Sequence, residues 1–243
     1  MRLGFLGCGA IASAVVRGLA GQGHHIVLSH RSEAQSHQLS ELFDDVTRSN
    51  NQSVVDQSDV LFLGLMAEAA VACLPELTFR PEQKVVSFMA GASLEQVADM
   101  VAPAVASAVM MPFPGIAVGG SPIMAMGDTG LVSDIFAPKN TVFALNGPEE
   151  LETYLAAQAV LSPVVQLLED TASWASEQGC PKDPLELFLR CLVANSLQSS
   201  SCATLLDTLN TPGGFNQRLR QHLEAKGLKS DLRDGLNSLL PQR

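Results

Sequence analysis

In the first half of the chain, apolar residues come in short unbroken runs separated by stretches with helical spacing. Residues 3–6, 25–28, 60–65, 84–88 and 106–111 have the length and composition of strands. Residues 10–20, 33–43 and 68–77 read as helices. A further helix opens at Ser93, a serine in capping position with Glu95 close behind. Strands that are apolar throughout, and not alternately polar, are buried on both faces. Alternating with helices, they predict a doubly wound parallel sheet of the α/β class. Residues 123–126 and 141–145 are expected to extend that sheet.

The pattern changes at Asn146-Gly147-Pro148. From Glu149 onward only helical spacing is found, with long helices expected over 151–178, 184–209 and 228–240. Two domains follow from this: an α/β domain over 1–147 and an all-helical domain over 148–243. Several of the later helices are apolar on more than one face, which predicts burial against a second copy in a homodimer or higher homo-oligomer. Residues 101–127 carry no charge and could span a bilayer by length alone. They also hold Pro103, Pro112, Pro114, Pro122, Gly115, Gly119 and Gly120. In lipid that punctuation would leave backbone groups unpaired, so a buried strand, a loop and another strand are expected.

Charge narrows the choice of partners. Against 15 basic residues stand 25 acidic ones, a net charge of −10. A surface of that sign disfavours nucleic acid and anionic membranes, while leaving room for a local site for one small phosphate. The cysteines are Cys8, Cys73, Cys180, Cys191 and Cys202. Odd in number and without a C-x-x-C pair, they suggest reduced thiols in a cytoplasmic protein, with neither a disulfide framework nor a zinc site. The histidines have no metal-ligand spacing.

The sharpest motif is Gly7-Cys8-Gly9-Ala10-Ile11-Ala12, a G-x-G-x-x-A between the first strand and the first helix. In that setting Gly7 permits the tight turn, Gly9 lets backbone approach a pyrophosphate, and Ala12 lets the helix pack close to the strand. The helix N-terminus then offers N–H donors to the anion. This is the fingerprint of a Rossmann-type dinucleotide site. The end of the second strand selects the cofactor. A binder of NAD places an acid there, about twenty residues on. Here Ser29-His30-Arg31-Ser32 stands in its place. Arg31 can fork onto a 2′-phosphate, with His30 and the two hydroxyls as further donors, so NADP is the expected cofactor.

In order and spacing, these segments resemble the pyrroline-5-carboxylate reductase family over nearly the whole chain. The resemblance rests on Gly4-Phe5-Leu6-Gly7-Cys8-Gly9, on Ser29-His30-Arg31-Ser32, and on the stretch from Ser87 to Gln96 that holds Ala90-Gly91-Ala92. It continues at Met111-Pro112 and at Thr211-Pro212-Gly213-Gly214. It implies an NADP-binding first domain, a helical dimerisation domain, and an active site shared between two subunits. The reaction implied is hydride transfer from NADPH to a cyclic imine carboxylate, pyrroline-5-carboxylate, giving proline and so serving proline biosynthesis. It also adds Leu65, Met66, Ala90 and Gly91 to the cofactor residues. On the substrate side it places Met111, Pro112, Thr211, Gly213, Gly214, Phe215 and Asn216. Gly213 and Gly214, just before a helix starting near Phe215, would hold the carboxylate through backbone N–H groups. No catalytic acid or base is identified.

The departures fall on the substrate side. Phe113 stands where the family has asparagine, Phe215 and Asn216 where it has paired threonines, and Met66-Ala67 where it has Lys-Pro. The family's turn into the helical domain survives only as Leu161-Ser162-Pro163-Val164-Val165. Two alternatives therefore stay open: a related reductase acting on another substrate, a deazaflavin included, and a non-enzymatic NADP(H)-binding regulatory dimer.

Overall fold

The computed structural model describes residues 1–30, 32–89 and 91–241. It divides into two compact units, Met1–Glu150 and Leu151–Arg243.

The first unit is built on an eight-stranded sheet in the order β3-β2-β1-β4-β5-β6-β7-β8. The strands are β1 (Arg2–Leu6), β2 (His25–Ser29), β3 (Val46–Ser49), β4 (Val60–Leu63), β5 (Lys84–Ser87), β6 (Val105–Pro112), β7 (Pro122–Gly127) and β8 (Thr141–Ala144). Between them run α1 (Ala10–Leu19), α2 (Glu33–Leu42), α3 (Asn51–Gln57), α4 (Ala67–Cys73), α5 (Leu94–Val101) and α6 (Thr129–Phe136). Alternate strand residues face opposite ways, which sorts the core into two layers. Phe5, Phe62, Val86 and Met110 pack with α1 and α6 on one face. Leu61, Leu63 and Val85 pack with α3, α4 and α5 on the other. The rings of Phe5 and Phe62 stack at 4.7 Å between centroids.

Two differences from the sequence reading have physical reasons. The sheet is not wholly parallel, because β7 pairs antiparallel to β6, with Met111 opposite Met124. The link from Pro112 to Pro122 holds one 3-10 turn, Pro114–Ala117, and is shorter than the roughly dozen residues a parallel crossover needs. β3 and α3 also escaped the pattern. β3 is a polar edge strand, Val-Thr-Arg-Ser, without an apolar run. α3 is short but marked by its cap, since the Asn50 side chain accepts from the Ser53 N–H at 2.9 Å. The cap expected at Ser93 is a full capping box with Gln96.

The second unit is helical. Its elements are α7 (Pro148–Ala157, which begins in the first unit), α8 (Leu161–Glu177), α9 (Lys182–Ser199), α10 (Cys202–Thr208), α11 (Phe215–Ala225) and α12 (Leu228–Leu239). The helix expected over 151–178 is interrupted by a 3-10 turn at Gln158–Val160. The one expected over 184–209 breaks at Ser200, which is fully extended, and restarts where Ser201 caps α10. α8 and α9 pack together, and Lys182 pairs with Glu169. The stretch Pro148–Glu177 is long and apolar enough to cross a membrane by length and composition, with a mean hydropathy of 1.2 in its most apolar window.

Candidate functional site

β1 leaves the sheet at Leu6, and the chain turns at Gly7 with φ of +89°. A Cβ on Gly7 would lie 2.6 Å from the carbonyl oxygen of Gly64, the residue that follows β4. In the other direction, a Cβ on Gly64 would lie 2.9 Å from the Gly7 oxygen and 3.0 Å from Ala12 Cβ. The Gly64 N–H also donates to the Leu6 carbonyl at 2.9 Å. The turn and the end of β4 thus meet backbone to backbone, and both positions require glycine for the fold itself.

Gly9 is different. It occupies the cap position of α1 with φ of −73°, an ordinary conformation for any residue. A Cβ there would meet no protein atom within 4 Å. The space kept clear by its missing side chain lies outside the protein. α1 has no side-chain cap and no acid in its first turn, so its first N–H groups and its positive end remain for an anion. A pyrophosphate fits this cradle, as the motif requires.

Two residues assigned to the cofactor have other work. Ser29 is 1% exposed, and its Oγ accepts the Gly7 N–H at 2.9 Å. That hydroxyl fastens the loop from beneath, at the buried end of β2. Cys8 is buried, its Sγ 3.4 Å from Ser13 Oγ, and burial pushes the thiol up. It stays protonated, and its side chain is sealed in the core. Ala10 is exposed and Ile11 half-buried.

Around the rest of the carboxyl edge, His30 is exposed, and Ser32 heads α2 without a side-chain cap bond. Arg31 and Ala90, both assigned to the cofactor, lie outside the described residues. Leu65 is packed in the core, whereas Met66 is 81% exposed. Gly91 has φ of +80° and open space at its Cβ position. Beside it a cleft of about 350 Å³ is lined in part by Ala67, Met89, Gly91 and Met100. Pro112 is buried at the end of β6, opposite Ile123, and Met111 is half-buried. Sequence reasoning missed Gly64. Its available signal was a glycine closing an apolar strand.

The second unit contains the turn from Thr211 to Asn216. α11 begins at Phe215 as expected. The Gly213 N–H donates to Gln217 Oε1 at 2.8 Å, however, and the Gly214 N–H donates to the Thr211 carbonyl at 3.0 Å. The two donors expected to hold a carboxylate are therefore already engaged within the turn, because Gln217 reaches back across the helix start. Thr211 and Asn216 are exposed, and Phe215 is 88% exposed.

Residues 2–91 match the family described as NADP oxidoreductase, coenzyme F420-dependent. No curated protein matches the chain. Among solved structures, 1-pyrroline-5-carboxylate reductase from Streptococcus pyogenes is similar, with 22% identity, 98% of this chain and 96% of that one covered, and a TM-score of 0.80. The Plasmodium falciparum pyrroline carboxylate reductase, solved with NADP bound, has 16% identity, coverage of 98% and 95%, and a TM-score of 0.79. An imine reductase from a Pseudomonas species has 14% identity, coverage of 97% and 87%, and a TM-score of 0.63. Residues 2–91 thus match the model of an NADP oxidoreductase family, and the chain has a fold similar to that of the pyrroline-5-carboxylate reductases.

Proposed function

We propose that this protein is an NADPH-dependent reductase of a carbon–nitrogen double bond in a small cyclic imine, acting as a homodimer or higher homo-oligomer in the cytoplasm. The observation that carries the reading is Gly9: a cap position open to the outside, before an uncapped helix, behind a turn fixed by Gly7, Ser29 and Gly64. NADPH, when bound, supplies the hydride, and water supplies the proton for the nitrogen. The chain itself has to hold the pyrophosphate and select the 2′-phosphate. It must also keep the imine carbon in place, a task that needs no charged acid–base pair.

The 2′-phosphate falls to Arg31, with His30 and Ser32 beside it. Ser29 acts through the loop and not on the cofactor. Pyrroline-5-carboxylate, whose reduction gives proline, is the reference substrate, because proteins named for it share the fold over the whole length. The family description names coenzyme F420, so transfer between NADP and that deazaflavin is the competing reading.

The oligomer is supported by the second unit. Trp174, Leu187, Phe188, Leu192 and Leu197 on α8 and α9 are exposed large apolar side chains. A face of that kind calls for a protein partner. We read the stretch Pro148–Glu177 as part of the same surface and not as a membrane span, since Glu152, Gln158, Gln166 and Glu169 lie along it.

The test is NADPH oxidation with pyrroline-5-carboxylate, with NADH beside it, and with Arg31→Ala beside the native chain. Saturable turnover preferring NADPH is expected, and Arg31→Ala should weaken NADPH about 10- to 100-fold with little change for NADH. Equal losses for both cofactors would remove the 2′-phosphate assignment. NADPH binding with no imine reduced, but with deazaflavin reduced, would replace this reading by the competing one.

A further inference from the structure

Resting on the reductase reading, we infer that the preferred substrate is a cyclic imine bearing an apolar substituent and no carboxylate. In an open α/β sheet the dinucleotide crosses the carboxyl ends of the strands where the strand order reverses. Here the reversal lies between β1 and β4. With the 2′-phosphate end over β2, the nicotinamide end falls over β4, β5 and β6. An imine presented to it must lie against what those strands offer at their ends.

They offer apolar side chains. Met66 follows β4 and is 81% exposed. Phe88 follows β5 and is half-buried, 5.4 Å from Phe62 between ring centroids. Phe113 follows β6 and is half-buried; Ser87 pairs with Val109, so β6 runs three residues past the end of β5 and carries Phe113 beyond the edge where Phe88 lies. Charge is missing from the same segments. None stands at 64–67, at 85–94, or anywhere from Met100 to Gly127.

The hydroxyls there each bond to backbone, two as acceptors and one as a donor. Ser87 Oγ accepts the Met89 N–H at 3.1 Å, Ser93 Oγ accepts the Gln96 N–H at 3.2 Å, and Ser121 Oγ donates to the Pro122 carbonyl at 3.3 Å. In the second unit, the Gly213 and Gly214 N–H groups are likewise engaged within their own turn. A carboxylate set against this wall would be stripped of water with no cation in return, whereas a methyl or larger apolar group would gain contact. The penalty falls on the charged group through its lost hydration, and Phe113, the aromatic side chain at the end of β6, is the residue expected to set the preference.

The experiment compares pyrroline-5-carboxylate with 2-methyl-1-pyrroline, a five-membered imine without the acid, in steady-state NADPH oxidation by the full chain. Each turnover reduces one C=N bond to a C–N single bond, the carbon taking hydride from NADPH and the nitrogen a proton from water, and converts one NADPH to NADP+. The expected result is a kcat/KM at least tenfold higher for 2-methyl-1-pyrroline. Phe113→Asn, with its NADPH affinity checked first, should cut that ratio tenfold or more.

A readout that does not depend on turnover is calorimetric binding of the product amines to the NADP+ complex, where 2-methylpyrrolidine should bind more tightly than proline. Preference for pyrroline-5-carboxylate and proline in both measurements would overturn the inference and leave the reductase reading standing. If neither imine is reduced by protein that binds NADPH, the reductase reading falls and the inference falls with it.

Discussion

The two units of this chain place their apolar residues in opposite ways. In the first, Leu3, Phe5, Phe62, Leu61 and Met110 are sealed inside two layers around one sheet. In the second, only Ala156, Ala172 and Ala175 count as buried apolar residues among the described ones, while Trp174 is 61% exposed and Phe188 57%. The contrast reflects what each composition can bury. A sheet with helices on both faces closes its core within one chain. A few helices with apolar residues on several faces cannot, and the proposed homo-oligomer would cover them. The first unit is the one whose sequence matches a cofactor-binding family, and it has the means to hold its shape alone.

Phe188→Asp tests the contrast most severely. In a symmetric pair the substitution enters twice, at about 2 kcal/mol per copy for a central apolar anchor. Association about a thousandfold weaker should follow, visible by sedimentation. A native chain that sediments as a folded monomer would break the comparison outright. Gly7→Ala addresses the first unit from within. The φ of +89° and the 2.6 Å approach to Gly64 predict a loss of about 3 kcal/mol in urea unfolding. An unchanged midpoint would mean that the turn does not hold the strand ends together. Ser29→Ala should cost about 1–2 kcal/mol, because the buried Gly7 N–H loses its acceptor. NADPH affinity should fall in parallel, with no new preference between NADPH and NADH. A selective loss of NADPH would return Ser29 to the 2′-phosphate.

Much of this was readable in advance, and the unread parts share a cause. The strands at the centre of the sheet announce themselves as apolar runs, and the G-x-G-x-x-A spacing locates the loop. β3 was invisible because an edge strand need not be apolar. The reversal at β7 could have been taken from the short link after Pro112, since periodicity carries no direction. At the site, the motif already gave Gly7 the turn and Gly9 the approach to a pyrophosphate. The fold adds what surrounds each, Gly64 against one and no protein atom within 4 Å of the other. Ser29 stands 22 positions from Gly7 in sequence, and its bond to that N–H exists only because β1 and β2 pair. The donors of Gly213 and Gly214 were misjudged because their acceptors, Gln217 and Thr211, are fixed by the geometry of the turn.

The account depends most on the claim that Gly9 is small for a ligand's sake and not for the fold's. Gly9→Ala, measured by urea unfolding and by NADPH titration on the same protein, tests it directly. Unfolding free energy should fall by no more than about 1 kcal/mol, the ordinary cost of alanine at a cap position, because the backbone is ordinary there and nothing lies in the way of the methyl group. NADPH affinity should fall at least tenfold, about 1.4 kcal/mol. Undiminished NADPH affinity in a stable Gly9→Ala protein would contradict the assignment of the cofactor to this loop.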